Sequence, residues 1–288
     1  MVLRAGLLII LGTASANSAT GFAGAAACRP CHAAVFAAQS ASEHARALAR
    51  SSATQPPEWA FGAGVQAITF VRRLDAEHYL EEGRSWYRES DSFEITPGHQ
   101  NAAGVRYRIF DPAAGILRCF VCHSTGPIAL DADESIMPAE LGVRCESCHG
   151  PAADHVHDPA RVKPRNPGKF TAARLNQMCG DCHRKPAAPD ETSNLADPWN
   201  ARHQPLMLAA SKCFKASQGK LSCLTCHSPH APLEQPAAAY DSACTKCHPA
   251  ARHTQPVGAR PCAECHMPAV RAQSHLSFST HRIAIYPR

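Results

Sequence analysis

The chain has few aromatic residues, few charged residues and no long apolar run. Of its 288 residues, 6% are aromatic and 18% are charged. So few bulky side chains would leave a conventional aliphatic core thin, and the low charge content does not fit a disordered polyelectrolyte. No stretch reaches the roughly 18 apolar residues that a spanning helix needs, so we expect no integral membrane span.

The formal net charge of +5 does not indicate a nucleic-acid partner, since Lys and Arg are spread along the chain. We therefore expect none. What the chain has in excess is cysteine and histidine, with 15 and 17 copies. These two residue types decide the interpretation of the sequence.

The N-terminus has the pattern of a secretory signal. A basic start at residues 1–4 is followed by an apolar run at 5–12 and by Ala14-Ser15-Ala16, which matches a signal peptidase site. We expect residues 1–16 to be a signal peptide and the mature protein to be exported, to the periplasm or the cell surface. Thiols without a function tend to oxidise there.

Fourteen of the cysteines fall into seven identical frames, each Cys-x-x-Cys followed at once by His. This is the attachment signature of c-type haem, in which two thiols bind the porphyrin edge and the next imidazole binds the iron. We therefore expect seven covalently attached c-type haems. The cysteines are Cys28, Cys31, Cys119, Cys122, Cys145, Cys148, Cys179, Cys182, Cys223, Cys226, Cys244, Cys247, Cys262 and Cys265. The proximal ligands are His32, His123, His149, His183, His227, His248 and His266.

Three other interpretations of paired cysteines fit less well. A four-ligand zinc site has no reason to place His directly after every pair. Thioredoxin-like chemistry needs one such motif on a βαβ unit, and a disulfide framework would not repeat one spacing seven times. Successive motif histidines are 91, 26, 34, 44, 21 and 18 residues apart. The last six haems are thus too close together for each to have its own domain, and they would complete the thin core.

Ten further histidines are candidates for the second axial position of low-spin haems. Methionine is too rare to fill seven positions. The expected distal ligands are His44, His155, His203, His230, His253, His275 and His281. His78 and His99 are further candidates, and only one of His155 and His157 is expected to bind.

Spacing restricts two of these assignments. Residues 31–50 read as an Ala-rich helix, which would place His44 about 18 Å along the axis from His32 and so direct it to a neighbouring haem. His230 follows His227 by three residues, with Pro229 between, so it too should reach a neighbour. Cys213 has no motif: a buried apolar role is favoured, with distal ligation or an intermolecular bridge left open.

We expect a mainly α fold with extensive loops, organised around a covalent seven-haem core. The expected divisions are an N-terminal haem-binding segment at 17–54, a haem-poor β-rich insertion at 55–115 and a six-haem region at 116–288. Alternating stretches at 65–71 and 105–110 predict strands in the insertion. Further helices are predicted over 74–82 and 202–216.

The motif surroundings resemble a group of multihaem c-type cytochromes. The group contains pentahaem nitrite reductase, octahaem hydroxylamine oxidoreductase, octahaem tetrathionate reductase and a tetrahaem carrier of ammonia oxidisers. The resemblance rests on residues 145–151 (CESCHGP) with His155, 223–230 (CLTCHSPH), 28–44, and 262–268 (CAECHMP) with His275 and His281. It implies distal roles for His44, His230 and His281.

Two departures limit what the resemblance implies about activity. The nitrite reductases carry a Cys-x-x-Cys-Lys motif, which is absent here, and nothing marks Tyr240 or Tyr286 as the cross-linked tyrosine of the hydroxylamine enzymes. The resemblance therefore supports the scaffold more than a reaction, and no catalytic residue is assigned.

The leading hypothesis is an exported seven-haem cytochrome that carries electrons along closely spaced haems. Its partners would be quinol-linked or soluble cytochrome donors and acceptors. One alternative is an oxidoreductase acting on a small nitrogen or sulfur oxyanion at one five-coordinate haem. Another is a subunit of a haem filament or an outer-surface conduit, so an oligomer or filament is left open.

Overall fold

The computed structural model describes residues 21–51, 58–111, 115–188, 192–233, 236–248, 253 and 258–287. The signal peptide expected at residues 1–16 lies outside this part. The chain is 31% helical and 21% strand, so the expectation of a mainly α fold is wrong. Strands form not only in the region of the expected insertion but also in two hairpins among the haem motifs.

The N-terminal helix is shorter than expected. A 3-10 turn at Ala25–Cys28 leads into α1 (Ala33–Ser40), and β1 (Leu48–Arg50) already belongs to a sheet. The single helix predicted over 31–50 is therefore wrong. The Ser42 hydroxyl donates a hydrogen bond to the Gln39 carbonyl at 2.6 Å, and such a local bond competes with helix continuation.

A seven-stranded antiparallel sheet follows. Its strands are β1, β2 (Trp59–Phe61), β3 (Ala67–Arg73), β4 (His78–Glu81), β5 (Arg84–Tyr87), β6 (Ser92–Ile95) and β7 (Val105–Arg108). The strand order is β1-β2-β3-β4-β7, and β5 pairs with both β3 and β6. The alternation at 65–71 and 105–110 thus predicted β3 and β7. The helix predicted over 74–82 is wrong: β4 pairs with β3 and β7, and Tyr79 is buried.

One face of this sheet forms the main apolar core. Trp59, Phe61, Val71 and Tyr79 pack against Phe120 of α2 (Leu117–His123). The rings of Trp59 and Phe61 each meet the Phe120 ring edge-on, with centroids 5.1 Å apart. Because α2 ends in a motif histidine, this packing positions the second attachment motif against the sheet.

The rest of the chain consists of short helices and two hairpins. In chain order these are β8 (Ser124–Leu130), β9 (Ile136–Leu141), α3 (Cys145–His149), α4 (Ala153–His157), α5 (Ala172–His183), α6 (Gln204–Ala209), α7 (Lys212–Ala216), α8 (Asp241–Thr245), α9 (Cys262–His266), β10 (Ala269–Gln273) and β11 (Leu276–Ser279). β8 pairs with β9 and β10 pairs with β11. In the part of the chain that the structure describes, no helix is long and apolar enough to cross a membrane.

The helix predicted over 202–216 is broken into α6 and α7. The break falls at Ser211, whose hydroxyl donates to the His281 carbonyl at 3.0 Å and accepts from the Ile283 amide at 2.8 Å. A tertiary contact with the C-terminal segment therefore ends α6 where the local sequence would let it continue.

Candidate haem sites

The seven attachment motifs each form about one turn of helix. Four lie in α2, α3, α5 and α9, one begins in α8, and the other two follow or form 3-10 turns. Even in the 3-10 cases the amide of His32 donates to the Cys28 carbonyl at 2.9 Å, and that of His227 donates to Cys223 at 3.0 Å. Residues three and four apart share one face of a helical turn, so both thiols and the imidazole point to the same side.

The cysteines are available for attachment. All fifteen carry free thiols, so a disulfide framework is absent. Among the described residues there is also no group of three or more His, Cys, Asp or Glu side chains that could hold a metal ion by themselves. The donor set fits thioether attachment with axial imidazoles rather than a zinc cage.

Five pairs of imidazole rings lie close together, with angles of 12–63° between the ring planes, and are called facing pairs here; each pair combines one motif histidine with one histidine from elsewhere in the chain. The ring centroids are 6.4 Å apart for His32–His155, 6.0 Å for His183–His44, 6.0 Å for His149–His230, 6.1 Å for His227–His281 and 6.3 Å for His266–His253. Two metal–imidazole bonds of about 2 Å place opposed ring centroids roughly 6 Å apart. The five pairs therefore fit one iron between each pair of rings.

Backbone carbonyls orient several of these rings. The Nδ1 atom lies 2.9 Å from the Arg165 carbonyl in His149 and 2.8 Å from the Val162 carbonyl in His155. The corresponding contacts are 2.8 Å for His266 to the Ala284 carbonyl, 3.1 Å for His281 to Ser279 and 2.9 Å for His123 to Ala47. A carbonyl only accepts, so Nδ1 carries the proton and Nε2 is left to bind a metal.

Burial also keeps key imidazoles neutral, as metal binding requires. It lowers the pKa of His281 to about 4, with a smaller contribution from His227. Burial likewise lowers the pKa values of His44, His123 and His183 below the usual value.

The structure does not bring every candidate distal histidine to another imidazole. In His203, Nδ1 lies 3.0 Å from Asn200 Oδ1, and Nε2 accepts from Arg202 Nε at 3.4 Å. Nδ1 of His275 is 3.9 Å from Glu89. His78 and His99 contact Asp75 and Glu81, at 2.7 and 3.4 Å, rather than capping a second ring.

Two motif histidines have no facing imidazole within the described ranges. The ring of His123 meets Phe61, with centroids 5.2 Å apart, and lies at the sheet. His248 is exposed and precedes residues 249–252, which lie outside the described ranges.

Attachment sites from different motifs adjoin each other. Thiols from different motifs lie next to each other in four pairs: Cys28 with Cys145, Cys122 with Cys182, Cys179 with Cys223, and Cys244 with Cys262. Each of the seven motifs is thereby in contact with at least one other motif. Cys213, on α7, is half-buried, and burial raises the pKa of its thiol.

Buried polar atoms without partners also fit a large anionic cofactor. Within the described part of the chain, Trp59 Nε1 and Arg144 Nε are buried and have no hydrogen bond. Such donors are costly unless something accepts from them; Arg144 Nε lies 3.8 Å from a Glu140 carboxylate oxygen, and a haem propionate would be a further acceptor.

Sequence reasoning missed the carboxylates that hold the N-terminal segment. Glu146 lies inside the third motif and is buried, and it accepts hydrogen bonds from the amides of Ala23 and Gly24. Glu140 accepts from the amide of Ala25 at 3.1 Å. A Glu between two motif cysteines looks like a variable position, and no local sequence pattern predicts its hydrogen-bond partners.

These features define a class of scaffold: short helical motifs that would attach several c-type haems, with histidines from distant segments placed where they would supply the second axial ligand. A family model described as "Cytochrome c554 and c-prime" matches residues 82–150, which include the second and third motifs. The match covers less than half of the chain. No curated protein matches.

Two solved structures share the fold. The outer cell wall cytochrome OcwA has a TM-score of 0.58 at 17% identity, with 92% of this chain and 80% of that chain covered. The undecahaem cytochrome from the S-layer of Carboxydothermus ferrireducens has a TM-score of 0.53 at 17% identity, with 89% and 52% covered. This chain therefore spans about half of the second protein.

Family match and fold together support a multihaem c-type cytochrome with covalently bound haem. They do not support membership of the particular group named in the sequence analysis, which contains nitrite reductase, hydroxylamine oxidoreductase and tetrathionate reductase. That part of the resemblance stays an expectation.

Proposed function

We propose that the chain is an exported seven-haem cytochrome that carries electrons along a row of adjoining haems. The observation that carries the proposal is the set of five facing imidazole pairs, each with one motif histidine and one distant histidine. If histidines met only by chance, some of the five pairs would join two non-motif histidines or two motif histidines, and none does. His44, His155, His230, His253 and His281 are the proposed distal ligands.

The contacts between motifs support transfer from one haem to the next. Cys28 adjoins Cys145, and Cys179 adjoins Cys223, so thioether edges of different haems would lie side by side. The contact of Cys122 with Cys182 connects the sheet-side motif to the fourth motif. A bound haem supplies one-electron redox chemistry at its iron, and the chain's own residues attach it, hold its axial imidazoles and exclude water.

We place the protein outside the cytoplasm. The signal-like N-terminus supports export, and the two structures of similar fold are described as an outer cell wall cytochrome and an S-layer cytochrome. Its partners would be one-electron donors and acceptors, quinol-linked or soluble.

Haem stoichiometry and spin state test the proposal directly. The mature holoprotein should carry seven haems by intact mass and by the pyridine haemochrome assay, and the five irons between paired imidazoles should be low-spin in the ferric state. Fewer than seven haems, or a holoprotein that does not pass electrons from a reductant to a soluble cytochrome acceptor, would overturn it.

A second candidate is an oxidoreductase acting on a small nitrogen or sulfur oxyanion. The observation that favours it is His123, which meets Phe61 and has no facing imidazole among the described residues. A stoichiometric high-spin ferric signal, together with oxidation of the reduced protein by nitrite, hydroxylamine or tetrathionate, would support this candidate over the carrier. If none of the three reacts, the candidate fails.

A further inference from the structure

One short segment holds a local excess of positive charge that the chain-wide spread of Lys and Arg conceals. Residues 159–174, here called the basic segment, contain no Asp or Glu. The cations are Arg161, Lys163, Arg165, Lys169 and Arg174. The whole chain has a formal net charge of +5, so the remainder of the polypeptide is balanced and the excess lies here.

All five side chains are exposed, and their contacts leave the charge almost unneutralised. Arg161 is 89% exposed and approaches one carboxylate, that of Asp158, at 3.8 Å. Lys163 Nζ donates to the Pro159 carbonyl at 2.6 Å, and the Arg174 guanidinium lies 3.9 Å above the Phe170 ring. Apart from that ion pair, no carboxylate among the described residues lies within ion-pair distance of the five cations, so the polypeptide presents a positive surface here.

The basic segment lies directly against two of the candidate haem sites. The Arg165 carbonyl accepts from Nδ1 of His149, and the Val162 carbonyl accepts from Nδ1 of His155. Arg165 Nε also donates to the Cys148 carbonyl at 3.0 Å, inside the third attachment motif. The positive surface is therefore fixed to the ring pairs His149–His230 and His32–His155.

We propose that the basic segment is the docking surface for an acidic one-electron carrier protein. The inference rests on the proposed electron-transfer function and names the site and the charge of the partner. The charge of the segment is complementary to an acidic face, and such complementarity raises the rate of productive encounter more than the final affinity. The exchange moves one electron between the carrier's cofactor and one of the two adjoining haems, with no bond made or broken and no proton required.

A membrane surface is a weaker match for this segment. It forms a loop, a short 3-10 helix at Pro167–Lys169 and the first turn of α5. A helix that binds lipid in the plane of the interface needs a continuous apolar face next to its cations. Phe170, the only aromatic residue of the segment, is partly covered by Arg174.

The test compares two charge-reversal variants of the holoprotein. Lys163→Glu with Lys169→Glu alters the basic segment, and Lys212→Glu with Lys215→Glu makes the same change in net charge at exposed positions on α7. Each is mixed in a stopped-flow instrument with reduced flavodoxin, an acidic one-electron carrier, over a range of ionic strength. Reduction by dithionite and the haem absorption spectrum of each variant show whether the haem sites are intact.

We expect the second-order rate constant of the unaltered protein to fall steeply with added salt. The segment variant should react roughly tenfold more slowly at low ionic strength and lose most of the salt dependence, whereas the α7 variant should change less than about twofold. Equal rates for the two variants would overturn the docking proposal while leaving the carrier function in place. A holoprotein that dithionite does not reduce would instead overturn the carrier function.

Anionic vesicles provide the competing outcome. The unaltered protein and the segment variant are each sedimented with vesicles of phosphatidylglycerol. If only the unaltered protein sediments with the vesicles, and both proteins react equally fast with flavodoxin, the basic segment binds a lipid surface and the proposal of a protein partner is overturned.

Discussion

Oε2 of Glu146 lies 2.7 Å from the backbone nitrogen of Gly24, across 122 residues of sequence. The other carboxylate oxygen accepts from Ala23 at 2.9 Å and from Ala152 at 2.8 Å. A buried carboxylate with three amide donors is stabilised by charge-assisted hydrogen bonds. It ties the N-terminal segment to the third attachment motif, next to the contact of Cys28 with Cys145.

Replacing this carboxylate should loosen the N-terminal segment. We expect Glu146→Gln to cost roughly 1–3 kcal/mol, because an amide nitrogen cannot accept and a buried amide donor loses its partner. Local opening should rise about tenfold, measured as the rate of limited proteolysis near residues 21–32 of the holoprotein. In the matched control Glu77→Gln, an exposed Glu whose carboxylate makes no hydrogen bond or ion pair among the described residues, the rate should not change.

His44 offers a test of distal ligation. Its ring faces that of His183 with centroids 6.0 Å apart. We expect His44→Ala to convert one iron from low-spin to high-spin without changing the haem count, because attachment depends on the thiols and not on the distal imidazole. Ferric electron paramagnetic resonance and intact mass measure the two quantities.

His78→Ala is the control for that substitution. His78 lies in the sheet with Nδ1 2.7 Å from Asp75 and faces no other imidazole among the described residues. The spin states should stay as in the unaltered protein. An unchanged spectrum for His44→Ala as well would contradict the assignment of His44.

His203 should behave differently from the five histidines that are paired with a motif imidazole. Both of its ring nitrogens are engaged, by Asn200 Oδ1 and by Arg202 Nε. We expect His203→Ala to leave every iron in its original spin state, whereas His253→Ala should produce one high-spin iron. A new high-spin signal for His203→Ala would show that this histidine binds iron after all.

The Glu89–Arg271 pair predicts a small pH dependence of stability. Two guanidinium nitrogens lie 3.0 and 3.2 Å from the carboxylate, and this hydrogen-bonded contact holds the pKa of Glu89 below its usual value. A depressed pKa means that stabilisation is present above the ordinary carboxyl pKa of about 4.3 and is lost as the pH falls through the lower folded value.

Glu89→Gln should therefore lower Tm at pH 7 by less than about 2 °C, since both side chains are exposed. The difference between the two proteins should vanish near pH 3 and shrink in high salt. Differential scanning calorimetry measures it, and a difference that persisted at pH 3 would indicate another origin.

The attachment chemistry was the part most accessible to sequence reasoning. A Cys-x-x-Cys-His frame is local, so one helical turn brings both thiols and the imidazole to one side wherever the frame occurs. The alternating residues of β3 and β7 were predictable for the same reason, since a strand's period is visible within a few residues.

The balance of helix and strand was not predictable in this way. Residues 74–82 have helical propensity, yet β4 forms there because β3 and β7 lie on either side and bury Tyr79. The helix over 202–216 is interrupted at Ser211 by a hydrogen bond to His281, 70 residues away. Propensity yields to tertiary pairing when the pairing buries side chains and satisfies backbone groups.

The sequence by itself determined that the chain is built around Cys-x-x-Cys-His motifs, because the two thiols and the imidazole of a motif lie at most four positions apart. Only the tertiary structure decided which histidine faces which. His32 meets His155 and His227 meets His281, across separations that no local pattern encodes. The physical reason is that an axial pair is a contact between two segments, held by burial and by carbonyls such as that of Val162, which receives Nδ1–H of His155.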